Sequence, residues 1–162
     1  MRVKATKIKI NKEEIMKKES RSFLGKIFKN DVKSITLKYF PYWIGKIVYE
    51  SGQKQTDRVG LMAISDQTKL AAPILTDFMY EEMDVDDNIV VKPKLNPDEV
   101  KKLLIKSAEN YALLKKKDMT IFLGKAKLKL VELILVYRPF WEVEYVKGGG
   151  IYYEADGYFT RE

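Results

Sequence analysis

One nine-residue pattern occurs twice in the chain, and each copy leads towards one of its two tryptophans. The first copy is Lys7-Ile8-Lys9-Ile10-Asn11-Lys12-Glu13-Glu14-Ile15, and the second is Lys92-Pro93-Lys94-Leu95-Asn96-Pro97-Asp98-Glu99-Val100. Each is followed by a Tyr-x-Pro-aromatic-Trp block: Tyr39, Pro41, Tyr42 and Trp43, then Tyr137, Pro139, Phe140 and Trp141. Matched blocks in the same order predict a duplicated structural unit. The offset between copies is 85 residues at the helix start and 98 at the proline, which places about 13 extra residues between the two landmarks of the second copy. Phe23-Leu24-Gly25-Lys26 recurs as Phe122-Leu123-Gly124-Lys125, so the insertion precedes that point.

Each copy predicts a helix followed by strands. Asn11 fits an N-cap, with Glu14 three residues on, and the helix beyond it is expected to carry Met16, Phe23, Leu24 and Ile27 on one face. Gly25 weakens its last turn and Asn30-Asp31 ends it. Asn96, Pro97 and Glu99 repeat the start, followed by a stripe of Val100, Leu103, Leu104, Ala108, Tyr111 and Leu114 and by Lys115-Lys116-Lys117 at a C-terminus. Three strands are expected after the first helix, over 32–40, 42–50 and 55–64, with Pro41 marking a bend or an edge. Three more are expected over 128–138, 140–146 and 151–159, with Gly148-Gly149-Gly150 as a hairpin turn. The expected fold is therefore α+β, with two αβββ repeats, each one helix packed on an antiparallel sheet. The expected division is a first repeat over 1–65, an acidic connector over 66–91 and a second repeat over 92–162. Two free-standing units of about 75 residues would each be marginal, so the repeats are expected to pack together.

Charge and composition exclude much chemistry. The chain of 162 residues has neither cysteine nor histidine, so disulfides, thiolate nucleophiles, Cys/His zinc sites and imidazole bases are impossible. Net charge is +7, and 25 of the 30 basic residues are lysine, which lacks the planar fork that suits base edges and phosphates. From Asp66 to Glu99 there are nine acidic and three basic residues, a local charge of −6 that reads as a solvated linker. The N-terminus lacks an apolar secretory core and no stretch approaches about 18 apolar residues, so the expectation is a cytoplasmic chain without a membrane span.

The strand-like entry, the Asn11-Lys12-Glu13-Glu14 helix start and the Tyr-x-Pro-aromatic-Trp strands resemble the cystatin-like and PepSY-like αβββ domains of uncharacterised bacterial proteins. Tyr152-Tyr153-Glu154-Ala155-Asp156-Gly157 is similar to the final strand of such domains; the first copy lacks the Asp-Gly pair. The resemblance implies the cystatin-like fold and a non-enzymatic role in binding a peptide or protein. It carries over no binding residues.

Candidate sites divide between functional and structural readings. The aromatic blocks Tyr39, Tyr42, Trp43, Tyr137, Phe140 and Trp141 form either a partner-binding patch or the cap of a helix-on-sheet core, and their recurrence favours the core. Lys12, Lys17 and Lys18, with Lys101, Lys102 and Lys106, either meet a phosphate backbone or solvate two helix faces among Glu13, Glu14, Glu19, Glu99 and Glu109. Asp84-Val85-Asp86-Asp87-Asn88 opens like a calcium loop, but positions 6 and 12 are Ile89 and Leu95, so the pattern fails and no metal is expected. Glu142 and Glu144 alternate with Arg138 and share a strand face, a common surface arrangement, and the glycine triplet lacks the rest of a phosphate loop. No catalytic residue and no cofactor are expected. The function read from the sequence is non-catalytic binding of a protein or peptide, with nucleic-acid association through the lysine-rich helices as the alternative.

Overall fold

The computed structural model describes residues 1–21, 31–51, 54–74, 78–114 and 127–158. Both Phe-Leu-Gly-Lys copies, Asn30 and Lys115-Lys116-Lys117 lie outside the described residues.

Both helices start where local chemistry places them. α1 spans Lys12–Arg21, and the Glu14 N–H donates to Asn11 Oδ1 at 2.9 Å, satisfying one of the donors that a helix leaves unpaired at its N-terminus. The second helix, α2, spans Pro97–Leu114; the Glu99 N–H donates to Asn96 Oδ1 at 2.9 Å, and Asn96 Nδ2 donates to Glu99 Oε1 at 2.8 Å. Val100, Leu104 and Ala108 stack one turn apart on the buried face of α2, as the stripe requires. On α1 the inward residues are Ile15 and Glu19, and Met16 is 56% exposed, against the expectation. A helix advances about 100° per residue, so docking Ile15 inward turns Met16 towards solvent.

Seven strands are described: β1 (Arg2–Ala5), β2 (Val32–Ser51), β3 (Lys54–Ser65), β4 (Ala71–Pro73), β5 (Glu81–Asp84), β6 (Lys127–Tyr145) and β7 (Gly150–Glu154). The protein is thus α+β, but two expectations fail. The stretches 32–40 and 42–50 are one strand, β2, and β6 likewise runs through Pro139, so two described strands, β2 and β3 or β6 and β7, stand where three were expected in each copy. The sheet is mixed rather than antiparallel, because Ala5 pairs in parallel with Tyr137. Each proline sits one residue before a ladder that begins at Tyr42↔Ser65 or Phe140↔Glu154. There each proline makes its cross-strand pair in one direction only: Pro41 accepts from the Asp66 N–H at 3.1 Å and Pro139 from the Ala155 N–H at 3.0 Å, the return bond is absent, and the Ala155 carbonyl accepts instead from the Lys9 and Ile10 N–H groups.

The compact units do not follow the chain in order. Unit 1 comprises Met1–Phe40, Met79–Lys92 and Tyr137–Glu162; unit 2 comprises Pro41–Phe78 and Pro93–Val136. The expected division at 65/66 and 91/92 is sequential, whereas each unit takes chain from both sides of the acidic stretch. That stretch is itself structured: it holds β4, β5 and a 3-10 turn at Asp87–Ile89. In unit 1, β5 pairs antiparallel with β1, which sets Glu82 and Asp84 against Arg2 (3.2 and 3.9 Å) and Glu81 against Lys7 (3.2 Å). These pairs are exposed and worth at most about 1 kcal/mol each.

Within unit 2 the strand order is β4-β3-β2-β6, and α2 covers it. Its core joins Trp43, Ile47, Met62 and Ile64 of the strands to Leu95, Val100, Leu104 and Ala108 of the helix and its approach. Val100 and Leu104 are fully buried, each contributing about 1.5–3 kcal/mol. Gly45 permits the contact: a Cβ there would meet Leu104 Cδ1 at 2.7 Å and Leu130 Cδ1 at 2.8 Å. Within unit 1 the order is β2-β6-β1-β5, with β7 also on β6. There α1 packs Ile15 against Ile35, Trp141, Val143, Tyr145 and Tyr153. Each helix therefore packs with the tryptophan block of the other sequence copy, not with its own.

Candidate binding face

The alternation of strand side chains gives unit 1 two sheet faces. Trp141, Val143, Tyr145 and Tyr153 point to the α1 side. Phe140, Glu142, Glu144 and Tyr152 take the opposite side, together with Ser34, Lys38 and Phe40 of β2. On this second face the Phe40 ring meets Phe140 edge-on at 5.4 Å and Tyr152 edge-on at 5.3 Å. Lys38 Nζ lies 2.7 Å from Glu142 Oε2, the Tyr152 hydroxyl donates to Glu142 Oε1 at 3.1 Å, and the Ser34 hydroxyl donates to Glu144 Oε2 at 3.4 Å. The hydrogen bond to Glu142 raises the Lys38 pKa above its ordinary value, and burial followed by the same carboxylate raises that of Tyr152.

Beside the aromatic trio lies a shallow depression of about 370 Å³, lined by Lys33, Glu142, Glu144, Tyr145, Tyr152 and the glycine turn. Gly148 and Gly149 have φ of 96° and 78°, a backbone region costly for any side chain, which explains the glycines at the hairpin. The face thus combines aromatic surface, two carboxylates and a lysine on one rigid ladder.

Of the six aromatic residues singled out by the sequence, only Phe140 belongs to this trio. Trp43 is 9% exposed, and its Nε1 donates to Asp66 Oδ2 at 3.1 Å. That carboxylate also accepts the N–H groups of Lys94 (2.6 Å) and Leu95 (2.9 Å), so it anchors the approach to α2. Trp141 Nε1 donates to the Ile10 carbonyl at 2.7 Å, and the Lys9 and Ile10 N–H groups donate to the Ala155 carbonyl at 2.7 and 2.9 Å. Tyr39 and Tyr137 are buried, and burial raises the Tyr39 pKa. Tyr42 is half-buried in unit 2. Phe40, Tyr152 and Lys38 were missed. Phe40 stood inside the first block unmarked, and the partner of Tyr152 depends on a register that no local pattern states.

Two buried polar clusters lie elsewhere in unit 1. Arg138, 1% exposed, donates Nε and Nη2 to the two oxygens of Asp156 at 2.8 Å each, and the Thr6 hydroxyl adds a third bond at 2.7 Å. Glu19, 8% exposed, accepts from the Tyr145 hydroxyl at 2.9 Å and from that of Tyr153. The pKa of Tyr145 is pushed up to about 12 by burial and then by Glu19, and that of Tyr153 is raised for the same reasons. Among the described residues every buried side-chain polar atom of the two clusters has a partner, and their bonds tie α1, β1, β6, β7 and the turn after β7 together.

Lys12, Lys17, Lys18, Lys101, Lys102 and Lys106 are all exposed, with Glu13, Glu14, Glu99 and Glu109 exposed among them. Among the described residues no group of three or more acidic side chains is placed to hold a metal ion, and no helix is long and apolar enough to cross a membrane. Comparison with known proteins gives no match: no family model, no curated protein and no solved structure matches the chain.

Proposed function

We propose that the chain is a non-catalytic module that binds a peptide or an extended protein segment, in the cytoplasm, through the open sheet face of unit 1. The observation that carries this reading is the trio Phe40, Phe140 and Tyr152, held edge-on beside a depression walled by Glu142 and Glu144. Aromatic residues are enriched at protein interfaces, where a few residues carry most of the binding energy. The scaffold is read as a duplication in which the copies are interlaced. Support comes from the matched bonds: the same pair of N–H groups before each helix, the same proline carbonyl and the same indole donor recur in both units. Likeness to the cystatin-like and PepSY-like domains belongs to the same proposal, with the αββ order of the elements as a departure from them.

Peptide-display selection against the immobilised chain tests the binding reading. A recovered peptide is expected to bind about tenfold or more weakly to Phe40→Ala and Phe140→Ala variants of unchanged circular dichroism. Equal affinity for both variants would overturn the assignment of the face. The exposure of all six helix lysines favours a second reading, association with nucleic acid. Gel shifts across a salt series decide it: no salt-sensitive complex removes it.

A further inference from the structure

We propose that β7 is a docking edge for an extended strand of a partner, and that this strand carries a basic side chain opposite Gly150; the proposal rests on the binding reading above and names its partner class. Hydrogen bonding fixes the edge. Antiparallel positions alternate between pairs that exchange backbone bonds and pairs that do not. The Tyr145 N–H donates to the Gly149 carbonyl at 3.1 Å, and the Ala155 N–H to the Pro139 carbonyl at 3.0 Å. In the same register, Val143↔Ile151 and Trp141↔Tyr153 are the bonded pairs, and Glu144↔Gly150 and Glu142↔Tyr152 are not. The N–H and C=O of Gly150 and Tyr152 therefore point away from β6. Among the described strands β7 pairs with β6 alone, and Gly150, Ile151 and Tyr152 are exposed.

The end strands of the two units are guarded and β7 is not. β4 ends in Pro73, and β5 reads Glu-Glu-Met-Asp; proline and charge are the usual barriers to strand addition. β7, Gly-Ile-Tyr-Tyr-Glu, has no proline and no lysine, and its one charge stands at its end.

Charge selects the occupant. Gly150 lies opposite Glu144 and Tyr152 opposite Glu142, so all four positions share the open face. Gly150 can carry no side chain, since a Cβ would lie 2.6 Å from the Val143 carbonyl oxygen. No side chain on Gly150 therefore stands between a partner residue directly across from it and Glu144. Lys38 lies 2.7 Å from Glu142, whereas among the described residues Glu144 accepts the Ser34 hydroxyl at 3.4 Å and makes no ion pair, acting on Lys38 only at longer range. Lys33 lines the same depression, but no ion pair joins it to Glu144 among the described residues. A lysine or arginine supplies the missing charge, and the next residue on the same side of the added strand reaches the Tyr152 ring.

The test uses the full chain and two short synthetic peptides of alternating threonine and valine, one with a central arginine and one with glutamate there, followed by fluorescence anisotropy. The arginine peptide is expected to bind, and the glutamate peptide about tenfold more weakly or not at all. Glu144→Gln is expected to remove that preference. Tyr152→Pro takes away an outward N–H without touching the β6 ladder, and is expected to abolish binding, whereas Tyr152→Ala keeps the N–H and weakens binding less. No binding of the arginine peptide, equal binding of both peptides, or full binding to a folded Tyr152→Pro variant would each overturn the proposal. A dimer of the free chain that Tyr152→Pro dissociates, seen by sedimentation, would overturn it in favour of a second copy as the occupant. If Phe40→Ala abolishes binding and Tyr152→Pro does not, the open face stands as a binding site and strand addition falls. If neither variant matters, both fall.

Discussion

Glu19 and Leu104 stand the same eight residues beyond their capping asparagines, yet they build opposite interiors. Leu104 fills the space over Gly45, while Glu19 brings a carboxylate to two tyrosine hydroxyls. The pKa of Tyr145 lies near 12 in the folded chain against about 10 for a free tyrosine, so the native state holds that proton more tightly than the unfolded state does. The stabilisation is then present in full below about pH 10 and disappears as pH rises towards about 12. Denaturant unfolding at a series of alkaline pH values, read beside tyrosinate absorbance, is expected to show that loss. Glu19→Gln removes the negative charge, and is expected to shift the ionisation of Tyr145 to lower pH and to cost about 1–3 kcal/mol at neutral pH. An unaltered alkaline profile in that variant would refute the role given to the carboxylate.

Elements differ in how much of their geometry the sequence states. Gly45 on β2 is a contact point whose side is set by α2, so Gly45→Ala is expected to cost about 1–3 kcal/mol in urea unfolding. In the double variant with Leu104→Ala the two costs are expected to fall short of their sum, because the shortened helix residue makes room for the new methyl group. Simple additivity would mean that the helix does not rest on that glycine. The starts of α1 and α2 were legible because a cap is written within four residues: Asn11 with Glu14, and Asn96 with Glu99. The prolines misled for the complementary reason. Whether Pro41 breaks a strand depends on whether its absent N–H was needed, and that depends on Asp66, which the chain reaches much later. The candidate face was half legible. Period-two alternation joined Glu142 and Glu144 with Arg138, but the contacts of Phe40 with Phe140 and Tyr152 follow from pairing across strands. Two copies of one signature also leave open whether a helix covers its own strands or those of its twin.

At the scale of the molecule, each helix covers strands of both copies: α1 packs with Ile35 and with Trp141, and α2 with Leu130 and with Trp43. Neither half of the chain then contains a finished core. Separate fragments ending at and beginning after the 75–77 segment are each expected to lack a cooperative unfolding transition, and mixing them is expected to restore both the circular dichroism and the tryptophan emission of the intact protein. A first fragment that folds by itself would contradict the interlaced core. The lengths of chain closed by these contacts are large: Trp141 reaches back to Ile10, and Thr6 bonds Asp156. Such long-range closure slows folding. It also bears on how the protein is born. A ribosome releases Trp43 and β3 well before α2, and α1 waits for Trp141, Val143 and Tyr153 to emerge. The nascent chain thus leaves the Trp43 indole and the β2–β3 hairpin uncovered until α2 emerges, and transient apolar surface of that kind is what exposes a growing polypeptide to misassembly.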